Sequence, residues 1–256
     1  MSNAEGVLLA LIAMSRELGR PERDLAILGE GNTSALCDDG TFWVKASGTE
    51  LRTIDAQGFV RVWVEPVCAL AEREGLGDRE IRDALDAAKV DPSFPKRPSV
   101  ETVLHALALS EAGAKFVGHT HPTAVNALMC SVAAEEAIAG RLFPDEIVVC
   151  GPAPAYVPYT DPGLPLARAV RAAFRRHADT WGAPPKVVLM QNHGLIALGD
   201  SAQEVDNVTA MYVKVCRILM GAYAFGGPHF MTEENVRRIH SRPDEAYRRR
   251  QLGSSS

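Results

Sequence analysis

The spacing of apolar residues along the chain predicts helices that alternate irregularly with short strands. Residues 4–18 carry apolar positions on one side of a helix and end in the polar "SRELGR". The stretch "FVRVWVE" instead alternates at every second position, which is typical of a strand with one buried face. Further helices are predicted over residues 65–76, 78–90, 99–113, 122–131, 164–182, 201–223 and 233–240.

Short apolar runs bounded by glycine or proline predict the strands. The "DDG" turn joins two of them as a hairpin, and "KVVLMQNHGLIALG" is long enough for a strand pair. Strands and helices mix without a strict βαβ repeat, so we expect one domain over residues 4–250, an α/β fold with a mixed sheet between helices. The predicted strands cover residues 25–28, 32–37, 41–46, 59–65, 115–121 and 146–151, with the pair at 186–199.

Composition narrows the function mainly by exclusion. The chain has 256 residues and a net charge of −5, whereas a general nucleic-acid binder would present a basic face. No run approaches the roughly 20 apolar residues that a membrane helix needs. Five widely spaced cysteines without a CxxC pair suit a reducing interior, so we expect a cytoplasmic protein.

The stretch "KFVGHTHPTA" contains the first candidate for chemistry, a pair of histidines at His119 and His121. If Phe116 and Val117 belong to a strand, both imidazoles project to one face, roughly 6–7 Å apart at the backbone, and can converge on one cation. A turn with two exposed or hydrogen-bonded histidines is the alternative. His193 ends a second apolar run and would complete a three-histidine site if the fold brings it close.

A glutamate near the start of the predicted helix 99–113 is the candidate acid/base group. Ser99 is the expected N-cap of this helix, and Gly113 is its expected end. Glu101 lies in the first turn, where the helix dipole favours the carboxylate, and His105 follows on the same face. A carboxylate beside a metal can take or give a proton in carbon-acid chemistry. A glutamate that only stabilises the helix terminus is the alternative.

Two glycine-containing loops flank the predicted hairpin, "GEGNTS" at 29–34 and "KASGTE" at 45–50. Glycine lets backbone N–H groups approach an anion, and Asn, Ser and Thr add side-chain donors. Lys45 can add positive charge, and Ser99 at a helix start is a further anion site. Together these elements, which precede the three histidines in the sequence, predict a phosphate pocket.

The motifs "GEGNTS", "KASGTEL", "PSVETVLH", "HTHP" and "NHGLIALG", in this order, resemble the class II aldolase/adducin family over about residues 7–225. The segment "FWVKASGTELRTID" is most similar to the branch of the family that contains rhamnulose-1-phosphate and fuculose-phosphate aldolases. The resemblance implies a three-layer α/β/α sandwich with a mixed, largely antiparallel central sheet. It also implies a homotetramer with active sites between subunits.

In such a protein, zinc would be held by His119, His121 and His193, a set that also suits Mn²⁺ or Co²⁺. The substrate would be a ketose 1-phosphate, cleaved to dihydroxyacetone phosphate and a short aldehyde through an enediolate that zinc stabilises. Glu101 would be the acid/base residue and a candidate fourth ligand in the resting site. The positions that match phosphate contacts in relatives are Gly31, Asn32, Ser47, Gly48 and Ser99.

This sequence departs from the family pattern at several points. Val100 stands where relatives often have a second hydroxyl residue, and Glu30 lies beside the anion loop, where it would repel phosphate unless it points away. Relatives can use a tyrosine from a neighbouring subunit on the C4 hydroxyl proton. Tyr156 and Tyr159 are the candidates here. The basic "RPDEAYRRR" is expected to be a solvated tail, with closure over a site as the alternative.

Three other functions remain open at this stage. The same metal site would serve an epimerase, a dehydratase or a decarboxylating lyase, although pentulose-phosphate epimerases commonly have aspartate where this chain has Glu101. A non-catalytic, adducin-like binding module would not need the histidines, which are present here. The third alternative is that the three histidines are unrelated and bind no metal.

Overall fold

A computed structural model describes residues 3–244, which build one seven-stranded sheet with helices on both faces. The strand order is β3-β2-β1-β4-β7-β6-β5. Among these strands, β5 and β6 run parallel and every other neighbouring pair is antiparallel. The strands are β1 Asn32–Leu36, β2 Thr41–Lys45, β3 Phe59–Trp63, β4 Phe116–Thr120, β5 Ala155–Val157, β6 Val187–Met190 and β7 Gly194–Gly199.

Most of the predicted helices are present, and several begin or end a few residues from the expected positions. The helices are α1 Asn3–Leu18, α2 Val64–Ala69, α3 Asp78–Ala87, α4 Thr102–Ser110, α5 Thr123–Met129, α6 Ala134–Ala137, α7 Pro144–Cys150, α8 Leu164–Trp181, α9 Ala202–Ala224 and α10 Glu233–Ser241. Short 3₁₀ turns link several of them.

Side chains alternate along each central strand between two hydrophobic cores, one on each face of the sheet. On β6, Val188 and Met190 join the core that contains α4 and α8, whereas Val187 and Leu189 join the core that contains α1 and α9. A strand buried on both faces reads as a continuous apolar run, as this one does. The prediction of a three-layer α/β/α fold with a mixed, largely antiparallel sheet is confirmed.

The predicted strand at residues 146–151 is wrong, because this segment is the helix α7. Its β-branched "IVV" favours a strand locally. Pro144 at the first turn, acidic residues behind it and Gly151 after its end are nevertheless helix signals. Glu146 then fixes the helix start, since its carboxylate forms a buried ion pair with Arg141 and accepts the Leu142 N–H at 2.8 Å.

Two further differences concern short segments. The predicted strand at 25–28 is absent, because Leu28 has a left-handed φ of 51° and forms a turn with Gly29. The strand β5 was not predicted, since it has only three residues and prolines at 154 and 158 flank it, which is typical of a loop. Proline is tolerated there because β5 is an edge strand.

No helix within residues 3–244 is both long and apolar enough to cross a membrane. The basic segment predicted as a solvated tail lies outside the described residues from position 245 onward.

Candidate metal centre and its neighbouring carboxylate

The three candidate histidines come together at one end of the central strands. His119 is the fourth residue of β4 and His121 follows its end. His193 lies in the turn between β6 and β7, and the register that pairs Thr120 with Leu195 brings this turn beside the end of β4. At Gly194 an added Cβ would lie 2.6 Å from the Thr120 carbonyl oxygen, so only glycine allows this approach.

The imidazole rings form a compact triangle. Their centroids are 4.7 Å apart for His119 and His121, 4.9 Å for His119 and His193, and 5.1 Å for His121 and His193. One ligand nitrogen from each ring lies within 4.8 Å of the others. Three histidine nitrogens in this arrangement are a donor set that zinc and related divalent cations accept.

Hydrogen bonding and burial leave the imidazoles able to bind a cation. His119 donates its Nδ1–H to the Leu195 carbonyl at 2.9 Å, so its Nε2 lone pair faces the cluster. That Nε2 lies 3.1 Å from Nε2 of His121. Burial lowers the pKa of His121 to about 4 and also lowers the pKa values of His119 and His193. The rings are therefore neutral near pH 7, the form that coordinates metals.

Glu101 closes the cluster from the side of α4, immediately before the helix begins. Its Oε2 is 3.5 Å from Nε2 of His119 and accepts a 2.6 Å hydrogen bond from Asn32 Nδ2. Its Oε1 lies 3.4 Å from Nε2 of His193. Burial opposes ionisation of Glu101, but the positive charge that His119 carries when it is protonated and the Asn32 hydrogen bond outweigh burial and lower the carboxyl pKa to about 2.

A divalent cation fits this donor set. Glu101 Oε1 is buried and accepts no hydrogen bond from residues 3–244. A buried carboxylate oxygen without a partner is costly, and a cation among the three neutral imidazoles would remove that cost. The histidine triad can therefore bind a metal ion, with Glu101 at its edge.

The residues proposed for phosphate lie in three adjacent segments. A bridge between Ala46 and Pro98 places the turn containing Ser47 and Gly48 beside Ser99. Both turn residues are exposed, and Gly48 has a left-handed φ of 77°. The backbone N–H of Ser47 already donates to the Arg97 carbonyl at 2.9 Å, which leaves its hydroxyl as the free donor.

Three of the residues proposed for phosphate are buried, namely Gly31, Asn32 and Lys45. Lys45 is 4% exposed and donates from Nζ to the Gly29 carbonyl at 3.0 Å. Burial lowers its pKa, and the charge of Glu101 opposes that shift. Gly31 has a φ of 66° and lies directly against the His119 carbonyl. Lys45 and Gly31 are therefore buried where the loops 29–34 and 45–50 meet, and they are not exposed for contact with an anion.

The predicted N-cap of α4 differs in detail. The helix begins at Thr102 and Glu101 occupies the N-cap position, whereas Ser99 lies one turn earlier. The Ser99 hydroxyl accepts the Glu101 N–H at 3.3 Å, and the Ser99 carbonyl accepts the Thr102 hydroxyl at 2.6 Å. Ser99 thus organises the residues that lead into the helix.

The departures from the family pattern also have positions in the structure. Glu30 points toward the histidines, with Oε1 3.7 Å from Nδ1 of His121 and Oε2 accepting the Ile27 N–H at 3.0 Å. Val100 is exposed beside Pro162 and Leu164 in a groove of about 290 Å³.

The two candidate tyrosines lie on and after the edge strand. Tyr156 belongs to β5, and the Tyr159 hydroxyl donates to Asp161 at 3.1 Å. Sequence reasoning missed Ser34, whose hydroxyl lies 2.7 Å from Nδ1 of His105. The signal was its position two residues after Asn32 on a strand, which puts both side chains on one face.

Comparisons with known proteins identify the family of the chain. A family model described as the class II aldolase and adducin N-terminal domain matches residues 10–220. The chain therefore belongs to the class II aldolase and adducin family.

One curated relative, "Uncharacterized oxidoreductase YuxG" of Bacillus subtilis (strain 168), is 31% identical over 192 residues. The match covers 71% of this chain and 25% of that protein, so the chain spans about a quarter of the relative's length.

Solved structures share the fold. The N-terminal class II aldolase domain of a conserved protein from Thermoplasma acidophilum is 27% identical with a TM-score of 0.67, over 83% of this chain and 93% of that one. An L-fuculose 1-phosphate aldolase is 19% identical with a TM-score of 0.69, over 92% and 94% of the two chains.

Proposed function

We propose that the protein is a divalent-metal-dependent aldolase that reversibly cleaves a deoxyketose 1-phosphate to dihydroxyacetone phosphate and a short aldehyde. The observation that carries this proposal is the approach of Glu101 to the histidine triangle, with a buried carboxylate oxygen 3.4 Å from Nε2 of His193. Three neutral nitrogen ligands and one adjacent ionised carboxylate are the components that metal-assisted carbon–carbon cleavage needs. Family membership and the L-fuculose 1-phosphate aldolase neighbour support the same class of reaction.

His119, His121 and His193 would hold the metal, with zinc as the expected ion and Mn²⁺ or Co²⁺ as substitutes. The metal supplies a Lewis acid that polarises the substrate carbonyl and stabilises negative charge on its oxygen. Around it, the Leu195 carbonyl fixes the ring of His119 through the 2.9 Å hydrogen bond from Nδ1. This second contact orients the imidazole and increases its basicity as a ligand.

Glu101 would transfer the proton at substrate C3. Its low pKa keeps it ionised, so in the condensation direction it acts as the base that removes this proton. In cleavage, the C4 hydroxyl loses a proton, the C3–C4 bond breaks and C3 gains a proton, so the overall proton count is unchanged. Glu101 must receive its proton before it can protonate C3, and a tyrosine of a neighbouring subunit is the family expectation for handling the C4 proton.

The substrate phosphate would bind at the exposed turn beside the start of α4. Gly48 and Ser47 are accessible there, and Ser99 retains a hydroxyl hydrogen because both of its hydrogen bonds from Asn32 and Glu101 are accepted ones. Backbone N–H groups and small hydroxyl side chains near a helix start are a common phosphate site. The buried ammonium of Lys45 adds positive potential below this surface.

The test is the release of dihydroxyacetone phosphate from rhamnulose, fuculose, 5-deoxyribulose and 5-deoxyxylulose 1-phosphates. We expect release from at least one of them, lost on chelation of the metal and restored when zinc is returned. Formation of an isomer without carbon–carbon cleavage would identify an epimerase instead. A protein that binds metal yet releases nothing from all four would reject the aldolase proposal.

A further inference from the structure

Behind Glu101 lies a row of polar side chains that is almost completely closed to solvent. Ser34 and His105 are 0% exposed, Asn32 is 5% exposed and Glu101 is 7% exposed. His105 lies 2.7 Å from Ser34 through Nδ1 and contacts Asn32 Oδ1 through Nε2. Asn32 in turn donates to Glu101 at 2.6 Å. We call Ser34, His105, Asn32 and Glu101 the buried relay.

The buried relay forms because the spacing of two side chains on β1 matches the spacing of two side chains at the start of α4. Asn32 and Ser34 are two residues apart on β1, about 6.7 Å along the strand. Glu101 and His105 are four residues apart at the start of α4, about 6 Å along the helix. Each pair therefore presents two side chains on one face at nearly the same spacing.

Matching each hydrogen-bond donor to an acceptor assigns the protons of the buried relay. An ionised Glu101 can only accept, so Asn32 must turn its NH₂ group toward the carboxylate and its oxygen toward His105. His105 must then carry its proton on Nε2, and its bare Nδ1 accepts the Ser34 hydroxyl. Burial lowers the pKa of His105 to about 3, which agrees with a neutral ring.

We propose that His105 is a positioning residue for the reaction: it fixes the orientation of the Asn32 amide, which in turn holds the Glu101 carboxylate at the metal centre. The proposal rests on the proposed function, in which Glu101 transfers the proton. It also changes the role of Asn32. One Asn32 N–H donates to Glu101 and the other points to Ser99 Oγ at 3.4 Å, so neither is left for a substrate phosphate.

The first test compares His105→Leu with His105→Gln on a substrate that the wild-type protein cleaves. Leucine removes both contacts, and we expect kcat to fall about 10- to 100-fold, as for other residues that orient catalytic groups. We expect KM and bound metal to stay within about threefold, because neither the phosphate surface nor the histidine triangle changes. The glutamine amide can still donate to Asn32 Oδ1, so His105→Gln should recover most of the activity.

The matched control is His177→Leu, which removes another buried histidine from a helix. His177 lies on α8 and contacts the Ala183 and Ala153 carbonyls, which are not part of the relay. We expect its kcat to equal that of the wild type even if the protein melts earlier. The proposal is overturned if His105→Leu keeps kcat within threefold, or if glutamine and leucine reduce it equally.

If His105→Leu does not fold, Ser34→Ala and His105→Gln still decide the matter. Ser34→Ala removes the hydroxyl that keeps Nδ1 unprotonated, so kcat should fall at unchanged KM. A lower kcat in Ser34→Ala together with most of the activity in His105→Gln would support the relay, and an unchanged kcat in Ser34→Ala would contradict it.

A second measurement does not depend on turnover. Imidazole ¹⁵N NMR of the wild-type protein, with the His105 signal identified by its loss in His105→Gln, should show a neutral ring protonated at Nε2. A ring protonated at Nδ1 overturns the relay. If the wild-type protein cleaves no sugar phosphate, the proposed function fails, while the tautomer still supports or refutes the positioning arrangement.

Discussion

At the residue scale, the two oxygens of Glu101 have different surroundings. Oε2 is held by Asn32 at 2.6 Å, whereas Oε1 is buried beside His193 and accepts no hydrogen bond within the described part of the chain. One oxygen is thus fixed by the protein and the other is available to a cation or a proton. This asymmetry is what an acid/base group next to a metal requires.

Replacement of Glu101 by glutamine tests that role. The amide has nearly the same shape but cannot take a proton, so we expect turnover to fall by about 10²- to 10⁴-fold. Metal content, measured by elemental analysis of the purified protein, should persist because all three imidazoles remain. Near-normal turnover in Glu101→Gln would remove this residue from the mechanism.

Replacement of His119 by alanine tests the metal centre. His119 is 1% exposed and central to the triangle, so its loss leaves two ligands and should abolish stoichiometric zinc binding. His229→Ala removes an exposed histidine outside the triangle and should leave zinc content unchanged. Full occupancy in His119→Ala would mean that the three histidines do not form one site.

At the element scale, the loop before β1 and the end of β4 are packed backbone against backbone. Gly31 has a φ of 66°, and an added Cβ would lie 2.5 Å from the His119 carbonyl oxygen. The loop also receives Lys45 at the Gly29 carbonyl and turns Glu30 toward His121. The position of the histidines therefore depends on this loop as well as on the strand.

Gly31→Ala and Gly40→Ala are a matched pair of variants. Comparing them separates the cost of a left-handed backbone from the effect of displacing β4. Both glycines have a left-handed φ, which costs about 1–2 kcal/mol with a Cβ. Gly40 has open space around it, so its variant should lose only that stability and keep metal affinity. Gly31→Ala should in addition weaken zinc binding, measured by competition with a chelator, because β4 must shift. Equal zinc affinity in the two variants would contradict this coupling.

The helices differ in how well sequence patterns predict them. Long segments such as α8 and α9 repeat their apolar positions many times, so the prediction averages over several turns. The segment 146–151 offers one short β-branched run, and its helix depends on the buried pair of Arg141 and Glu146. That contact joins α7 to the preceding loop and outweighs local strand propensity.

At the scale of the whole molecule, the candidate metal centre is built from three separate parts of the chain. It connects the end of β4, the β6–β7 turn and the start of α4. A cation that binds only when these parts are assembled stabilises the folded state through mass action. Folding stability should therefore depend on metal.

Removal of the metal should lower the melting temperature. At a free zinc concentration 100 times Kd, the stabilisation is about 2.7 kcal/mol, which corresponds to roughly 5–10 °C for a chain of this size. Calorimetry with and without a chelator measures the shift, and His119→Ala should show none. A wild-type protein whose melting temperature ignores the chelator would argue against a metal that links these segments.

An exposed apolar pair lies on the loop beside the candidate metal centre. Ile27 and Leu28 are 63% and 77% exposed, on the loop whose Glu30 faces His121. We expect subunit contacts here, in a homotetramer with sites between subunits, because contiguous exposed apolar groups favour association. Light scattering should show a tetramer that Ile27→Glu with Leu28→Glu dissociates. Leu9→Glu, at an exposed position on α1, should not dissociate it, and a monomeric wild type would reject the proposal.

Local sequence patterns establish the secondary structure of most segments and the faces on which their side chains lie. The alternating and helical periods gave the central strands and long helices, and the His-x-His, Asn-x-Ser and Glu-x-x-x-His spacings are local facts of strand and helix repeats. Local patterns do not show that His193 lies beside His119, that Asn32 donates to Glu101 across 69 positions, or that α7 is a helix. These outcomes depend on strand order and on contacts between distant segments, and periodicity within one segment carries no information about its neighbours in space.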